Sequence, residues 1–310
     1  MGKRVIVTGA TGLIGKEVCK TLIDRGDEVI VFTRSPQSAK LKIKGAANYI
    51  EWDSYSAGGK WVKFVSQADS IIHLAGEPLL GRLWDDEYKE KILRSREEGT
   101  GNLAKALAEG ETRAESFICA SAIGYYGSSE YNETYTEESP PGEGFLAEVC
   151  RRWEKASALA DTSEVRRVNI RVGIVLDKNE GALEKVLSSF RLYLGGTIGS
   201  GDQWISWITA RDTANLFIHA LDNKDIHGPL NATAPNPVRM KDFMETIGSI
   251  LDRPAWLKIP DLPIEAVIGE ASVPVTEGIR VLPQHTLKTG FQFEYTDFGE
   301  AIRAIIAENE

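Results

Sequence analysis

Gly9, Gly12 and Gly15 stand at three-residue intervals in the run Thr8-Gly9-Ala10-Thr11-Gly12-Leu13-Ile14-Gly15. An apolar run, Arg4–Val7, leads into them, and a helical apolar pattern (Leu13-Ile14, Val18, Leu22-Ile23) leaves them. Glycines in such a turn keep side chains out of the way of an approaching anion. The first N–H groups of the helix have no partners inside it and point at that anion. The spacing is G-x-x-G-x-x-G rather than the commoner G-x-G-x-x-G. Its place between a strand and a helix is nevertheless the context in which such a turn holds a pyrophosphate.

A second group lies at the end of the next apolar run, Val29-Ile30-Val31-Phe32-Thr33-Arg34-Ser35. An acidic residue at this place bonds the adenosine ribose hydroxyl of NAD. Here the position holds Arg34, whose guanidinium is suited to grip a 2′-phosphate in bidentate fashion, with Thr33 beside it. The expected cofactor is therefore NADP(H) rather than NAD. The run Ile71-Ile72-His73-Leu74-Ala75-Gly76-Glu77 ends in small residues that let a cofactor ring lie close to the backbone. His73 belongs to a buried strand and is expected to be a packed, hydrogen-bonded residue.

The elements that must position these groups alternate. Strands are expected at 4–7, 28–33, 48–52, 70–74, 116–120 and 167–172, with helices at 12–25, 60–67, 85–108 and 144–160. Such alternation implies parallel βαβ units with right-handed crossovers. The fold class is thus α/β, a Rossmann-type doubly wound parallel sheet with a smaller C-terminal substrate lobe. The cofactor domain is expected at 1–175, with contributions from 205–235, and the smaller lobe at 176–310. In the second half, helices are expected at 211–221, 239–251 and 297–307, and a short strand near 230–232. The glycine-rich Leu194–Gly201 lacks the Lys-Ser/Thr of a P-loop and reads as a flexible lip over the substrate. The clusters Asp85-Asp86-Glu87 and Glu137-Glu138 are expected to cap helices or to be solvated.

Composition bounds the rest. The 310 residues carry a net charge of −9, with 42% hydrophobic and 26% charged residues. No basic field is present to attract nucleic acid or an anionic membrane. Cys19, Cys119 and Cys150 fit neither a metal site nor a disulfide framework, so no metal is expected. Reduced cysteines, no room for a leader before the first strand and no membrane-length apolar run point to a cytoplasmic protein.

The glycine turn, His73-Leu74-Ala75-Gly76, Ser121–Gly127 (S-A-I-G-Y-Y-G) and Arg171–Leu176 together resemble the extended short-chain dehydrogenase/reductases of the NAD(P)-dependent epimerase/dehydratase type. Leu74–Glu77, Ser95–Thr100 and Leu194–Trp204 are similar to an atypical branch of epimerase-family proteins. Pro283–Leu287 with Gly290-Phe291 is similar to that branch's C-terminal module of unknown function, about 255–303. The resemblance implies that Gly9, Thr11, Gly12, Leu13 and Ile14 hold the pyrophosphate, Thr33 and Arg34 the 2′-phosphate, and Leu74, Ala75, Gly76 and Glu77 the adenosine side. Lys91, Arg96 and Val175 are expected near the cofactor, Arg96 in the place of the family's catalytic asparagine.

The family's proton-transfer set does not carry over. Ala122 stands at the usual hydroxyl position, with Ser121 one place off. Leu146 and Cys150, or Phe145 and Val149, stand where Tyr-x-x-x-Lys belongs. Tyr125, Tyr126 and Lys91 are the substitute catalytic candidates, although the tyrosines suit packing equally. Gln203, Trp204 and Trp207 are candidate walls of a substrate pocket. Two functions follow. One is an NADP(H)-binding oxidoreductase or epimerase-like enzyme for a small polar substrate, nucleotide sugars being the class implied. The other is a catalytically silent NADP-binding sensor or regulatory module.

Overall fold

A computed structural model of the chain describes residues 2–79, 82–110, 112–128, 133–161, 165–259 and 278–307. Five strands open the fold: β1 (Arg4–Thr8), β2 (Glu28–Thr33), β3 (Asn48–Glu51), β4 (Ser70–His73) and β5 (Ser116–Ala122). The short β6 (Thr134–Tyr135), β7 (Arg166–Val172), β8 (Ile174–Leu176), β9 (Gly196–Ile198), β10 (Trp204–Ile205) and β11 (Trp207–Thr209) follow. The last are β12 (Gly228–Ala232), β13 (Val238–Arg239), β14 (Leu257–Ile259) and β15 (Arg280–Val281). Seven of them form one sheet in the order β12-β7-β5-β4-β1-β2-β3. Every pairing in it is parallel, as in Val5↔Val29 and Val7↔Ile72. Such strands are covered on both faces, which is why Val5-Ile6-Val7 and Ile71-Ile72 are continuous apolar runs with no exposed surface.

The helices between them are α1 (Leu13–Asp24), α2 (Pro36–Lys42), α3 (Val62–Val65), α4 (Asp86–Glu109), α5 (Phe145–Ser157), α6 (Gly181–Arg191), α7 (Ala210–Asp222) and α8 (Met240–Leu251). The chain leaves β1 toward β2 and leaves β4 toward β5, in opposite directions along the sheet. Right-handed crossovers therefore put α1 and α4 on opposite faces. α1 packs with α7, and α4 with α5. The reversal between β1 and β4 opens a crevice at their carboxyl ends, where ligands of such sheets bind. Asp85 caps α4 by accepting a hydrogen bond from the Tyr88 N–H at 2.7 Å, as its acidic cluster suggested.

A second apolar cluster joins Leu183, Leu187 and Phe190 of α6 to Trp207 of β11, to Phe243 and Ile247 of α8, and to Phe298 and Ile302 of the helix Phe298–Ala307. No element was expected at 181–191 or 36–42, yet α6 and α2 form there. Leu183, Leu187 and Phe190 supply α6 with a buried stripe at helical spacing. Within the expected lip at 194–201, Gly195–Ile198 is instead packed, while Leu194 stays exposed. Gly196–Ile198 pairs with Leu257–Ile259, and a Cβ on Gly195 would lie 2.2 Å from the Phe190 ring.

Candidate functional site

The glycine turn is shaped by contact with β4. Gly9 has φ +65°, and a Cβ there would sit 2.7 Å from the carbonyl carbon of Leu74 and 2.9 Å from Ala75 N. Only glycine meets both conditions. A Cβ on Gly15 would fall 2.3 Å from the Gly9 carbonyl oxygen, so this glycine lets α1 sit directly on the turn. Gly12 opens α1 without any side-chain cap, leaving the first N–H groups for an anion.

Thr8 and His73 lock this arrangement. The Thr8 hydroxyl oxygen accepts from Leu74 N at 3.1 Å and Ala75 N at 3.2 Å, so its proton goes to His73 Nδ1 at 2.7 Å. His73 is then neutral, with Nε2–H donating to the Thr100 hydroxyl at 2.9 Å. Burial, helped by the Arg96 charge, pushes its pKa down from 6.5 to about 3. His73 is thus the packed residue expected, and it ties the ends of β1 and β4 to the middle of α4.

Arg34 projects from the end of β2 with its side chain 84% exposed, its nearest acid being Glu77, 3.9 Å away. Thr33 accepts a hydrogen bond from Ser35 N at 3.2 Å. Thr11, Leu13 and Ile14 flank the turn, half-buried. An open turn with unclaimed N–H groups beside an accessible guanidinium fits a dinucleotide carrying a 2′-phosphate.

Next to this crevice lies a cavity of about 380 Å³. Ala122–Gly124 after β5, Val172–Ile174 at the end of β7, and Phe145, Leu146, Val149, Cys150 and Trp153 of α5 form most of its wall. Leu79, Trp84, Trp204, Ser206, Gly278 and Ile279 close it, with Arg96 from α4. Both helix registers considered from the sequence face this space, and neither brings a tyrosine or lysine. The hydroxyl position is the Ala122 methyl group. Burial pushes the Cys150 thiol up to about 12, so it is no acid or nucleophile at neutral pH.

Arg96 is 8% exposed. Its Nη1 donates to the Ile92 carbonyl at 3.1 Å, and the guanidinium lies 5.0 Å from the centre of the Trp153 ring. A Cβ on Gly76 would touch that guanidinium at 3.0 Å, so the small residue after β4 makes room for it. Burial lowers the pKa of Arg96, opposed by Cys150, Glu77 and Tyr88.

The other expected residues are placed differently. Lys91 is exposed on α4 and pairs with Glu87 one turn earlier. Val175 packs against the main core, one residue beyond the cavity wall. Tyr125 and Tyr126 lie in the single turn Ile123–Tyr126 and do not line the cavity. Tyr126 donates to Asn231 Oδ1 at 2.7 Å and accepts from Arg171 Nη1 at 3.0 Å. Burial pushes its phenol up to about 12, against the pull of Arg171. The Arg171 guanidinium covers the Tyr125 ring at 3.5 Å. Of the expected pocket walls, Trp204 lines the cavity, with the Arg239 guanidinium 3.8 Å from its ring centre. Gln203 is instead buried, with Nε2 donating to the Ile198 carbonyl at 2.9 Å. Trp207 is buried in the second core and donates to Asn236 O at 2.9 Å. No residue of 194–201 lines the cavity.

One arrangement has no counterpart in the sequence reading, and a second gives the expected helix-capping role of Glu137 a distant partner. Arg171 holds Glu154 through two hydrogen bonds, 2.8 and 2.9 Å, and the Ser121 hydroxyl donates to the same carboxylate at 2.7 Å. A charged residue inside the apolar strand Val168–Val172 was the available signal. Glu137, buried, accepts from the N–H groups of Asn231, His285 and Thr286 at 3.0–3.1 Å. It thereby caps the helix Gln284–Lys288 and ties the C-terminal segment to the edge strand β12.

The sequence profile of the NAD dependent epimerase/dehydratase family matches residues 5–232. That of a domain of unknown function, DUF1731, matches residues 259–305. The chain is 39% identical to the Arabidopsis thaliana epimerase family protein SDR39U1 homolog, chloroplastic, covering 97% of this chain and 86% of that protein. It is 34% identical to the Bacillus subtilis epimerase family protein YfhF, covering 99% of each. The crystal structure of human epimerase family protein SDR39U1 (isoform 2) with NADPH superposes with a TM-score of 0.87 at 33% identity, covering 99% of this chain and 100% of that one. Among the described residues no helix is long and apolar enough to cross a membrane.

Proposed function

The chain belongs to the NAD-dependent epimerase/dehydratase family, and on that premise we propose that it is an NADPH-binding oxidoreductase that works without a tyrosine–lysine pair. One observation carries the reading. The Gly9 turn pressed onto Leu74–Ala75 and the accessible Arg34 stand at the same crevice, at the carboxyl ends of neighbouring strands. The human relative, solved with NADPH, supports it. The N–H groups opening α1 hold the diphosphate, and Arg34 holds the 2′-phosphate. Bound there, NADPH supplies a hydride. Ala122, Ile123 and Val172–Ile174 form dry walls that exclude water from the acceptor. Arg96 stabilises negative charge on the acceptor, and the proton enters from solvent at the exposed rim by Ser128 and Glu143, because Ala122, Leu146 and Cys150 cannot donate it. The apolar walls favour a substrate with an apolar body over the polyhydroxylated sugar that the family resemblance implies.

The second reading, a catalytically silent NADPH sensor, is favoured by those same three side chains. Calorimetric titration with NADPH and NADH, followed by single-turnover oxidation of bound NADPH against carbonyl and activated-alkene acceptors, separates the two. NADPH is expected to bind more tightly than NADH and to be consumed by at least one acceptor. Binding without consumption by any acceptor would put the sensor in the enzyme's place, and absence of heat with either dinucleotide would sink both.

A further inference from the structure

We infer that the cavity at the ends of β5 and β7 receives a carboxylate carried on an apolar or aromatic body, with Arg96 as its counter-ion. This rests on the NADPH reading for the neighbouring crevice and adds the substrate class.

Arg96 is a buried cation with no ion-pair partner among the described residues. It is 8% exposed, yet it makes one hydrogen bond, to a backbone carbonyl. The nearby acids make no hydrogen bond to it, Glu77 acting on it only through space. Glu77 leans toward Arg34 at 3.9 Å, and Glu154 is held by Arg171 and Ser121. A charge in such a place is costly unless a ligand pairs with it. The guanidinium lies against Trp153 and borders the cavity, so an anion can reach it only from that side or from the cofactor crevice.

The remaining wall selects what carries the anion. Trp84, Phe145, Val149, Trp153, Ile174 and Ile279 present rings and branched chains. Trp84 and Ser206 on this wall are already satisfied, whereas the buried Trp153 N–H has no hydrogen-bond partner. Ser206 donates to the Ile279 carbonyl at 2.7 Å and accepts from Val281 N at 2.9 Å, while the Trp84 N–H donates to Leu79 O at 2.9 Å. One indole N–H cannot serve a sugar ring, which would leave most of its hydroxyl groups unpaired here. Glu143 and Ser128, both exposed, stand at the rim, where Glu143 repels a second negative charge. A planar monoanion also matches the donor fork of a single arginine, whereas a phosphate dianion asks for more donors than the cavity has. The cofactor diphosphate is the competing anion. None of residues 9–15 lines this cavity, which places the two anions in separate compartments.

The test uses the full chain saturated with NADPH and two calorimetric probes of one shape, 3-phenylpropionate and 3-phenylpropionamide, with UDP-glucose as the sugar-nucleotide control. The acid is expected to bind at least about ten-fold more tightly than the amide, as for a close charge pair in a desolvated site, and UDP-glucose not to compete with it. Arg96→Gln should bring acid and amide to the same affinity while leaving the NADPH affinity unchanged, and Arg96→Lys should restore part of the difference. Equal binding of acid and amide to the wild type overturns the inference. So does a loss of NADPH affinity in Arg96→Gln that matches the loss for the acid, because the guanidinium would then serve the cofactor. Should Arg96→Gln not fold, the acid–amide comparison in the wild type decides alone. Failure of NADPH to bind while the unliganded protein keeps its preference for the acid would sink the cofactor reading and leave this one standing. NADPH binding without that preference would do the reverse.

Discussion

Replacing Arg34 by alanine tests the cofactor assignment with a magnitude that follows from its surroundings. The side chain is 84% exposed, so the dielectric acting on it is close to that of water. Two unit charges about 4 Å apart in water interact by about 1 kcal/mol. A phosphate monoester carries roughly −1.5 to −2 at neutral pH. The guanidinium should therefore stabilise bound NADPH by about 1.5–2 kcal/mol, which is about 10–30-fold in affinity. NADH has no 2′-phosphate and should lose less than about two-fold. Calorimetric or fluorescence titrations of both dinucleotides, run on wild type and Arg34→Ala, measure the two losses side by side. Raising salt from about 0.1 to 1 M shortens the screening length from about 10 to 3 Å, so the wild-type preference for NADPH should shrink with salt and the variant's should not. Equal losses for both dinucleotides, or a salt-independent preference, would refute the assignment.

Glu154→Ala strands the buried Arg171 guanidinium, whose side chain is 4% exposed. It should cost about 3–5 kcal/mol, read as a lower urea midpoint, whereas Ser121→Ala removes one hydrogen bond and should cost about 1 kcal/mol. The pKa of His73 is depressed from 6.5 to about 3, so the unfolded chain binds its proton first. The stability it confers is whole above about pH 6.5 and is lost on acidification toward pH 3, at up to about 1.4 kcal/mol per pH unit. His73→Asn should be less stable than wild type at neutral pH, with the gap narrowing as pH falls from about 6.5 to 5; a constant gap in urea titrations would contradict this. Burial raises the thiol pKa values of Cys19, Cys119 and Cys150. All three should resist a thiol reagent at pH 8 in the native protein and react together in denaturant, and a fast-reacting native thiol would argue against the packing described.

Much of the nucleotide half was legible because it is written in short-range spacing. Glu28–Thr33 was expected at its observed limits, and the other five expected sheet strands were placed within two residues of the observed ones. Continuous Val/Ile runs between helical periods have one compact solution, a parallel sheet covered on both faces. The glycine turn and Arg34 were readable for the same reason. What matters there is the order of residues within a few positions of a strand end. Helix α6 was equally legible through Leu183, Leu187 and Phe190, which recur at helical spacing.

The sequence by itself thus determined the doubly wound sheet, the glycine turn between β1 and α1, the position of the guanidinium at the end of β2, and the absence of a tyrosine–lysine pair. Only the tertiary structure decided which side chains share a cavity, because its walls come from segments as far apart as Leu79 and Ile279. It also decided that Tyr126 spends its hydroxyl on Asn231 and Arg171, and that Glu137 caps a helix almost half the chain away. Backbone geometry over a few residues is set by neighbours along the chain. Partners for a buried charge or hydroxyl are set by whichever distant groups packing brings within hydrogen-bond reach, and residue spacing carries no record of them.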